Sequence, residues 1–536
     1  MKTRTLHSTA RLLPTARLLP TARLLPIVLL ALFGAAPAGA QVAETWLHAT
    51  PIEALPGWRS ARLLAMGDLR FAADDRSYRF NSFDYGGNPA GLLGARDTSW
   101  VEQGSEYADF YDEYYGQSHS AILRRSGFRG AFDGTRNWAL GAEFTYSSVL
   151  ASRHDEFTTQ DNARFMRDFD IPFASSSQPV LGDRTFGAAV RYPAFAVNYA
   201  RRFRSWVTLG LRYGFRDESE DRRLRDPYDL DASAVANEYA GGAVFRLPKI
   251  GDNVTLSAFG RYVSNKVKAN SESPLNDDEY DWDRPEVGYG AQIIVRTGLL
   301  KAIVDGRHRS YDGEQIARVN WAPQFFLNPF PSEIDPDLVF RRRWSSFLSG
   351  LRHNEGSAHW RIDVPGLPMH VGGEYALYRD YQWIRPNPIV FQMALPLDVR
   401  RLGYRAGGGV SFDLTEGGAV ATEVRIARDF RDDLTGALPD IVTSTLSYHF
   451  GGEFHALPRL AVRGGFVLLR QDPDRRDGLP PNKGVQLTAG LGYMWDAIDS
   501  QIDLTGAHEH YRFAPADPSG EIGYGDRLIL TLTRLF

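Results

Sequence analysis

Apolar and polar residues alternate with a period of two along most of the chain. Segments 206–217, 402–414, 420–430 and 485–495 carry apolar side chains at every second position, with polar residues or glycine between them. Successive side chains of a β-strand point to opposite faces, so each segment predicts a strand with one apolar and one polar face. After residue 40, no run approaches the roughly 18 apolar residues of a membrane-spanning helix. The pattern therefore predicts an all-β protein.

The spacing of the connections indicates how these strands are arranged. Tight turns are predicted at 133–137, 203–205, 247–252, 298–300, 366–368, 414–418, 455–459 and 496–499. Longer, charged loops are predicted between them at 151–183, 217–238, 268–284, 312–339, 383–400, 431–441 and 471–483. Short turns that alternate with long loops are typical of a transmembrane antiparallel β-barrel, with periplasmic turns and extracellular loops. We predict about 16 strands, with 14 to 18 possible, because regions 101–131, 183–201 and 340–363 are ambiguous.

The last predicted strand ends on an aromatic residue. Phe536 follows Leu528, Leu530 and Leu532 on one face, which resembles the assembly signal of bacterial outer-membrane barrels. That resemblance implies the outer-membrane assembly machinery as a partner. Arg534 departs from the signal, since an aromatic or apolar residue is usual there. The alternative, a secreted β protein, is disfavoured because the polar faces are rich in glycine and arginine.

The first 40 residues have the features of an export signal. Lys2 and Arg4 precede an apolar stretch at 24–36, and Ala38 to Ala40 form a small-residue cleavage site. A charged start, a short apolar run and such a site predict a signal peptide cleaved after Ala40. The expected organisation is signal peptide 1–40, plug or periplasmic segment 41–100 and barrel 101–536. It places the protein in a Gram-negative outer membrane, in contact with lipid and lipopolysaccharide.

The segment before the barrel carries a second resemblance. Ala65-Met66-Gly67, residues 72–75 and the run Asn88, Pro89, Ala90, Gly91, Leu92 resemble the N-terminal region of the long-chain fatty-acid transporter family. The resemblance implies a small domain that plugs the lumen from the periplasmic side while hydrophobic ligands pass by diffusion. Aromatic residues at 78–85 depart from that family. The alternative for 88–92 is a plain turn, because the residue before Pro89 is held extended and Gly91 is permissive.

Composition excludes several kinds of chemistry. The 536-residue chain has no cysteine, so disulfides, thiolate metal sites and cysteine nucleophiles are ruled out. A net charge of -4 argues against nucleic acid as a partner. The sequence shows no serine-hydrolase, zinc-protease or phosphate-loop motif. We therefore expect no catalytic residue, metal or cofactor.

Charged residues occupy the polar faces of several predicted strands. They are Arg212, Arg216, Arg401, Arg405, Glu423, Arg425 and Asp429. Charges inside a barrel require partners or water, and the mixed signs predict a wet, cross-braced lumen. These charges either form ion pairs with the plug or select the solute. In hairpin 402–430 the odd-numbered residues face inward, which leaves two registers open: Arg425 opposite Gly407, or Arg425 opposite Gly409.

These observations predict passive transport of hydrophobic or amphipathic small molecules. The alternatives are a general diffusion porin with a charged lumen and a non-transport outer-membrane scaffold. The sequence does not identify the solute.

Overall fold

The alternating segments form a closed antiparallel barrel. The structure is a computed structural model that describes residues 61–70, 88–95, 99–114, 117–134, 137–154, 185–224, 229–247, 254–272, 277–283, 285–319, 343–386, 397–414, 418–434, 441–473, 482–495, 500–512 and 522–535. The expected signal peptide 1–40, residues 72–75 and the assembly-signal residue Phe536 lie outside these ranges. Among the described residues, no helix is long and apolar enough to cross a membrane.

Within the described ranges, nineteen strand segments make up the sheet. They are β1 (Trp100–Tyr114), β2 (Gln117–Gly134), β3 (Trp138–His154), β4 (Thr185–Arg204), β5 (Val207–Leu224), β6 (Asp229–Arg246), β7 (Val254–Glu272), β8 (Asp277–Asp283), β9 (Glu286–Arg296), β10 (Leu300–Val319), β11 (Arg343–Asp363), β12 (Met369–Pro386), β13 (Leu397–Asp413), β14 (Ala419–Asp433), β15 (Ile441–Leu457), β16 (Leu460–Pro473), β17 (Asn482–Trp495), β18 (Ser500–Arg512) and β19 (Ile522–Leu535). Short helical elements precede them: α1 (Ala61–Ala65), a 3₁₀ turn (Pro89–Gly91) and α2 (Leu92–Ala95).

The barrel has 18 spanning strands. β8 and β9 both pair with β7 and β10, so they are two parts of one strand. β1 pairs with both β2 and β19, which closes the sheet. The count lies at the upper limit of the predicted range. In one ambiguous region, 183–201, residues 185–201 belong to a single strand because β4 continues through Pro193, where its ladder with β5 is interrupted.

The predicted turns were confirmed at one end of the barrel. The eight predicted tight connections all fall between consecutive strands there, and we call this the short-turn end; the other is the long-loop end. Two predicted loops were wrong over most of their extent: much of 217–238 belongs to β5 and β6, and within 268–284 residues 268–272 belong to β7 and 277–283 to β8. β5 and β7, with 18 and 19 residues, are longer than the roughly 10 residues that cross the bilayer. Their ends therefore extend into water, where charged side chains do not end a strand.

Burial distinguishes the two faces of the wall. Along β14, Glu423 is 0% and Arg425 8% exposed, whereas Val424 is 39% and Ile426 47% exposed. The outward face is therefore apolar and the inward face polar, as in an outer-membrane barrel. Of the two registers left open, the observed one places Arg425 opposite Gly407.

Candidate functional site

A short stretch before the barrel lies against the inner wall. Residues 61–70, the first inner segment, begin with α1 and end in a tight reversal. Gly67 and Asp68 both have positive φ, 79° and 54°. Their backbone N–H groups return to the carbonyl of Leu64 at 3.1 and 3.2 Å. Two successive left-handed residues stop the helix and turn the following main chain toward the wall.

Glycines in β15, β16 and β17 make room for this segment. A Cβ at Gly451 would lie 2.0 Å from the Met66 carbonyl oxygen, and one at Gly465 would lie 2.5 Å from the Met66 carbonyl carbon. A Cβ at Gly490 would lie 2.6 Å from the Cβ of Ala65. Because Met66 and Ala65 are fully buried, neither can move aside freely. The wall is therefore shaped to fit the segment's main chain.

Inward side chains hydrogen-bond that main chain directly. The Gly67 N–H donates to Thr488 Oγ1 at 3.0 Å, and the Gly67 carbonyl accepts from His449 Nδ1 at 2.8 Å. The Arg70 N–H donates to both carboxylate oxygens of Glu423, at 2.9 and 3.1 Å. Thr488 also donates to the Ala65 carbonyl at 2.9 Å. The wall thus satisfies backbone groups that a five-residue helix leaves without partners.

Two ion-pair networks surround these hydrogen bonds. In the first, the Glu453 carboxylate accepts from Arg62 at 2.8 and 2.9 Å and from Arg463 at 2.6 Å. Arg463 in turn contacts Asp503 on β18. The first inner segment is therefore tied to β15, and through Arg463 to β16 and β18.

The second network is centred on Arg425. Its guanidinium donates to Glu423 at 2.6 and 3.1 Å and to the Asp68 carboxylate at 3.3 Å. It also contacts the Asp68 carbonyl oxygen. One buried arginine thus joins a wall carboxylate to the reversal of the first inner segment. Burial of a charge with several hydrogen-bonding partners avoids the large cost of an unpaired ion.

Residues 88–95, the second inner segment, lie against another part of the wall. Asn88 Oδ1 accepts from the Ala90 N–H at 3.0 Å, which caps the 3₁₀ turn. Its side-chain amide donates to the carbonyls of Ala243 and Ala258 at 3.2 and 3.3 Å. Asn88 is therefore both a turn-former and a contact to β6 and β7.

Glycines of β5 and β6 leave room for the second inner segment to lie close to the wall. A Cβ at Gly210 would lie 2.2 Å from the Ala90 nitrogen, and one at Gly242 would lie 2.0 Å from Asn88 Oδ1. Farther along, the segment contributes to a buried apolar cluster of Leu92, Leu93, Trp100, Ala131, Ala139 and Ala200. The run 88–92 is thus a turn, as one sequence interpretation expected, and it is packed on the inner wall.

A cavity of about 300 Å³ lies on the long-loop side of Asp68 and Arg70. Val467, Leu469 and Ala427 contribute apolar lining. Besides Asp68 and Arg70, the polar and charged lining residues are Thr445, Ser447, His449, Gln486, Glu509, Glu374, Arg405 and Arg425. The first inner segment forms part of its boundary, so a solute in this space would contact the segment and the wall together.

Arg401, Arg405 and Asp429 belong to a separate group on β12–β14. Tyr378 contacts Asp429, and the guanidiniums of Arg401 and Arg405 lie 5.3 and 5.7 Å from the Tyr378 ring centroid. Arg401 pairs with Asp429 at 2.8 Å, and Arg405 pairs with Glu355 at 2.7 Å. Of this group, Arg405 is the one that also lines the cavity.

Arg212 lies on β5, in a different part of the wall from these groups. It donates to Glu143 at 2.8 and 3.3 Å and to Asn198 at 3.1 Å, and Glu238 is 3.6 Å away. Arg216 is buried two positions farther along the same face. These contacts brace β3 to β6 against one another.

The seven charges singled out from the sequence therefore fall into three groups. Glu423 and Arg425 contact the first inner segment; Arg401, Arg405 and Asp429 form the Tyr378 group; Arg212 and Arg216 lie on β5. Arg405 and Asp429 have partners on β11–β13, whereas Glu423 and Arg425 contact the first inner segment. Arg405 and Arg425 both line the cavity.

Sequence reasoning missed the residues that hold the first inner segment in place. They are Thr488, His449, Glu453, Arg463, Gly451, Gly465, Gly490 and also Thr505, whose hydroxyl donates to the Ala61 carbonyl at 2.7 Å. The available signal was glycine at inward positions of adjacent strands, since a glycine in a strand interior marks close approach of another backbone. Among the residues with described positions, no group of histidine and carboxylate side chains is arranged to hold a metal ion.

Comparison with known proteins finds solved structures with a similar fold but no similar sequence. No protein-family model matches the sequence, and no curated protein is significantly similar to it. The barrel is similar to the toluene transporter TodX of Pseudomonas putida, at 13% identity and a TM-score of 0.35, over 89% of this chain and 98% of that one. It is similar to a FadL homologue of Pseudomonas aeruginosa, at 13% identity and a TM-score of 0.34, over 94% and 100% of the two chains. The ferric yersiniabactin uptake receptor FyuA of Yersinia pestis has 8% identity and a TM-score of 0.44, over 82% and 79%. Outer-membrane transporters are thus among the solved structures whose fold this barrel resembles.

Proposed function

We propose that the protein is a passive outer-membrane transport barrel for small amphipathic molecules, with the two inner segments plugging its lumen. The observation that carries this proposal is the first inner segment itself, which is bound to the wall and borders the cavity. A barrel of 16 to 18 strands encloses a water-filled channel unless something occupies it. Segments bound inside such a channel control passage through it.

The attachment of the first inner segment suits a movable plug. It consists of hydrogen bonds and ion pairs, which break and re-form without covalent change. Its apolar anchors are two small clusters: Met66, Leu69 and Ala421 with Leu63 packed against them, and Ala61, Leu64 and Ile529. Once the segment moves, each broken hydrogen bond is replaced by one to water, so the net cost is about 0.5 to 1.5 kcal/mol for each bond.

The cavity supports an amphipathic solute. Val467 and Leu469 provide an apolar surface, while Arg405, Arg425 and Glu374 provide charges of both signs. A molecule with an apolar body and a polar end would satisfy both kinds of lining. We propose that such a solute binds there and moves down its own concentration gradient as the first inner segment shifts.

A general diffusion porin is the second candidate, and the charged inner wall favours it. Arg212, Arg401 and Arg405 face inward together with their acidic partners. A hydrated, charged passage suits small polar solutes and ions rather than apolar ones.

Planar-bilayer conductance and proteoliposome uptake of the full-length protein distinguish the candidates. The transport proposal predicts little steady ion conductance together with faster entry of an amphipathic aromatic carboxylate than of a sugar of similar size. Steady conductance with equal entry of both solutes would favour the porin. Absence of conductance and of uptake would contradict both and favour the scaffold.

We further propose that the mature protein begins at Gln41 and that residues 41–100 belong to the plug. Strand β1 begins at Trp100, consistent with that boundary. N-terminal sequencing of protein purified from outer membranes tests the cleavage site. A start other than Gln41 would contradict it.

A further inference from the structure

Four arginines project from the outward face of neighbouring strands β11–β14. They are Arg352, Arg379, Arg400 and Arg428. Each shares its parity with exposed apolar residues of its own strand: Trp360, Tyr375, Leu402 and Ile426, respectively. They therefore lie on the surface that faces lipid, and we call them the outer basic patch.

Strand position places the four arginines in one band of the wall, toward its long-loop end. Arg352 lies 11 residues from Asp363, Arg379 10 from Met369, Arg400 13 from Asp413 and Arg428 9 from Ala419, counted from the short-turn end of each strand. A tilted strand crosses the hydrocarbon region in about 9 to 11 residues. The patch therefore lies at the extracellular boundary of the apolar band.

The strands around the patch supply little compensating acid. Arg352 is opposite Tyr381, and Arg428 is opposite Tyr404 and Ser444. Asp432 lies 3.8 Å from Arg400, and Asp398 is the other acidic residue at an outward position of β11–β14. Basic residues outnumber acidic ones here, so the patch is positively charged.

The other side of the barrel provides a contrast at the same level. Lys266 and Lys268 are also exposed, 12 and 14 residues from Val254 on β7. Their register partners on β8 are Asp283 and Asp281. The two lysines of β7 thus have acidic residues as register partners on β8. On β11–β14, basic residues at outward positions outnumber acidic ones.

Aromatic rings hold part of the patch in position. The Arg352 guanidinium lies 5.3 Å from the Trp383 ring centroid, and the Arg428 guanidinium lies 4.8 Å from that of Phe430. The ring centroids of Tyr381 and Trp383 lie 4.8 Å apart. A guanidinium placed over a ring is restricted in its motion, while N–H groups that do not contact the ring remain available to an anion.

We propose that the outer basic patch binds the phosphate groups of a phosphorylated glycolipid in the outer leaflet. Planar guanidiniums bind phosphate oxygens through paired, charge-assisted hydrogen bonds. The level of the patch is that of lipid headgroups, and its apolar surroundings suit the acyl chains below them. A lipid headgroup is the occupant that fits both the charge and the position.

The test uses full-length protein in a neutral detergent, with lipid A as the probe. Lipid A retained after gel filtration is quantified by mass spectrometry for the natural protein and for the triple variant R352Q/R400Q/R428Q. The matched control is K266Q/K268Q. We expect the triple variant to retain about 10-fold less lipid A, equivalent to about 1.4 kcal/mol, and the control to retain the natural amount.

Two further arms identify the ligand chemistry. Dephosphorylated lipid A should bind poorly to the natural protein, and inorganic phosphate should not displace lipid A. Equal retention by the triple variant and the natural protein would overturn the proposal. So would equal binding of dephosphorylated lipid A, or displacement by inorganic phosphate alone. If the triple variant does not give the heat-modifiable band of a folded barrel, single variants R400Q and R428Q are measured, and unchanged retention by both would overturn the proposal.

Discussion

Glu453 on β15 and Arg62 on the first inner segment form a two-bond ion pair, with N–O distances of 2.8 and 2.9 Å. Because 391 positions separate these residues, their contact joins the region before the barrel to a strand near its end. The same carboxylate accepts from Arg463, so Glu453 retains a partner when Arg62 is removed. The pair can therefore be tested without leaving an isolated buried charge.

Arg62→Ala is expected to loosen the first inner segment. Loss of hydrogen bonds to a charged group should cost about 1.5 to 3 kcal/mol of docking free energy. Faster protease cleavage within residues 61–70, with an unchanged heat-modifiable band, is the expected result. Arg470→Ala is the control, because its pair with Asp472 is exposed and contributes little. Equal cleavage in both variants would contradict the assigned role of Arg62.

Gly465→Ala is expected to displace the first inner segment while the barrel remains folded. The new Cβ would lie 2.3 Å from the Gly67 nitrogen, a main-chain atom that cannot rotate away. The neighbouring Gly464→Ala is the control, since its nearest contact is 3.9 Å away. Increased bilayer conductance in the first variant and natural conductance in the second are expected. Identical conductance would show that the close approach at Gly465 does not govern passage.

Asn88→Ala is expected to release the second inner segment. It removes the cap of the 3₁₀ turn and two bonds to wall carbonyls, and loss of a cap alone costs about 0.5 to 2 kcal/mol. Asn88→Asp separates the two roles, because it keeps the capping oxygen but places a carboxylate beside the two carbonyls. Hydrogen exchange at 88–95 should increase in both variants. Natural protection in Asn88→Asp would show that the wall bonds do not contribute.

Val424→Arg tests the orientation of β14. Val424 lies five residues from Ala419, near the middle of the apolar band, and faces lipid. Arginine there should cost about 2 to 4 kcal/mol of barrel stability, measured by urea unfolding in lipid vesicles. Val424→Leu, which adds no charge, should leave stability close to the natural value. A stable Val424→Arg barrel would place this position away from lipid.

Much of the barrel was predictable from residues that act locally. The tight turns and the inward position of Glu423 and Arg425 follow from period-two patterning and turn residues, which are visible in one strand at a time. Pro193 made β4 ambiguous because a proline normally interrupts a ladder, and neighbouring pairs on both sides keep this strand intact. The sequence also did not show how far each strand extends beyond the bilayer, because a strand that is charged and lies in water has the same composition as a loop.

The candidate site was less predictable because it depends on contacts between distant parts of the chain. Glu453, His449 and Thr488 are ordinary inward polar residues until the first inner segment is placed beside them. That segment is recognised mainly through its backbone, which has the same chemistry in any sequence. The grouping of Arg405 with Glu355 rather than Glu423 likewise depends on side-chain reach across strands, which register alone does not specify.

Movement of the first inner segment during transport is the central claim, and a reversible crosslink tests it most directly. In the naturally cysteine-free chain, the double variant Ala65→Cys and Gly490→Cys brings two thiols together, since a Cβ at Gly490 would lie 2.6 Å from that of Ala65. The Cβ separation of a disulfide is about 3.5 to 4.5 Å, so the segment must shift by about 1 to 2 Å for the bond to form. The Gly490→Cys single variant imposes the same shift without the bond and therefore controls for it. Uptake of an amphipathic solute into proteoliposomes is measured for the oxidised protein and after reduction, with each single-cysteine variant as a control. The proposed function predicts that oxidation abolishes uptake, that reduction restores it, and that the single variants are unaffected by either treatment. Equal uptake by the crosslinked and reduced protein would contradict the claim that this segment moves to open the lumen.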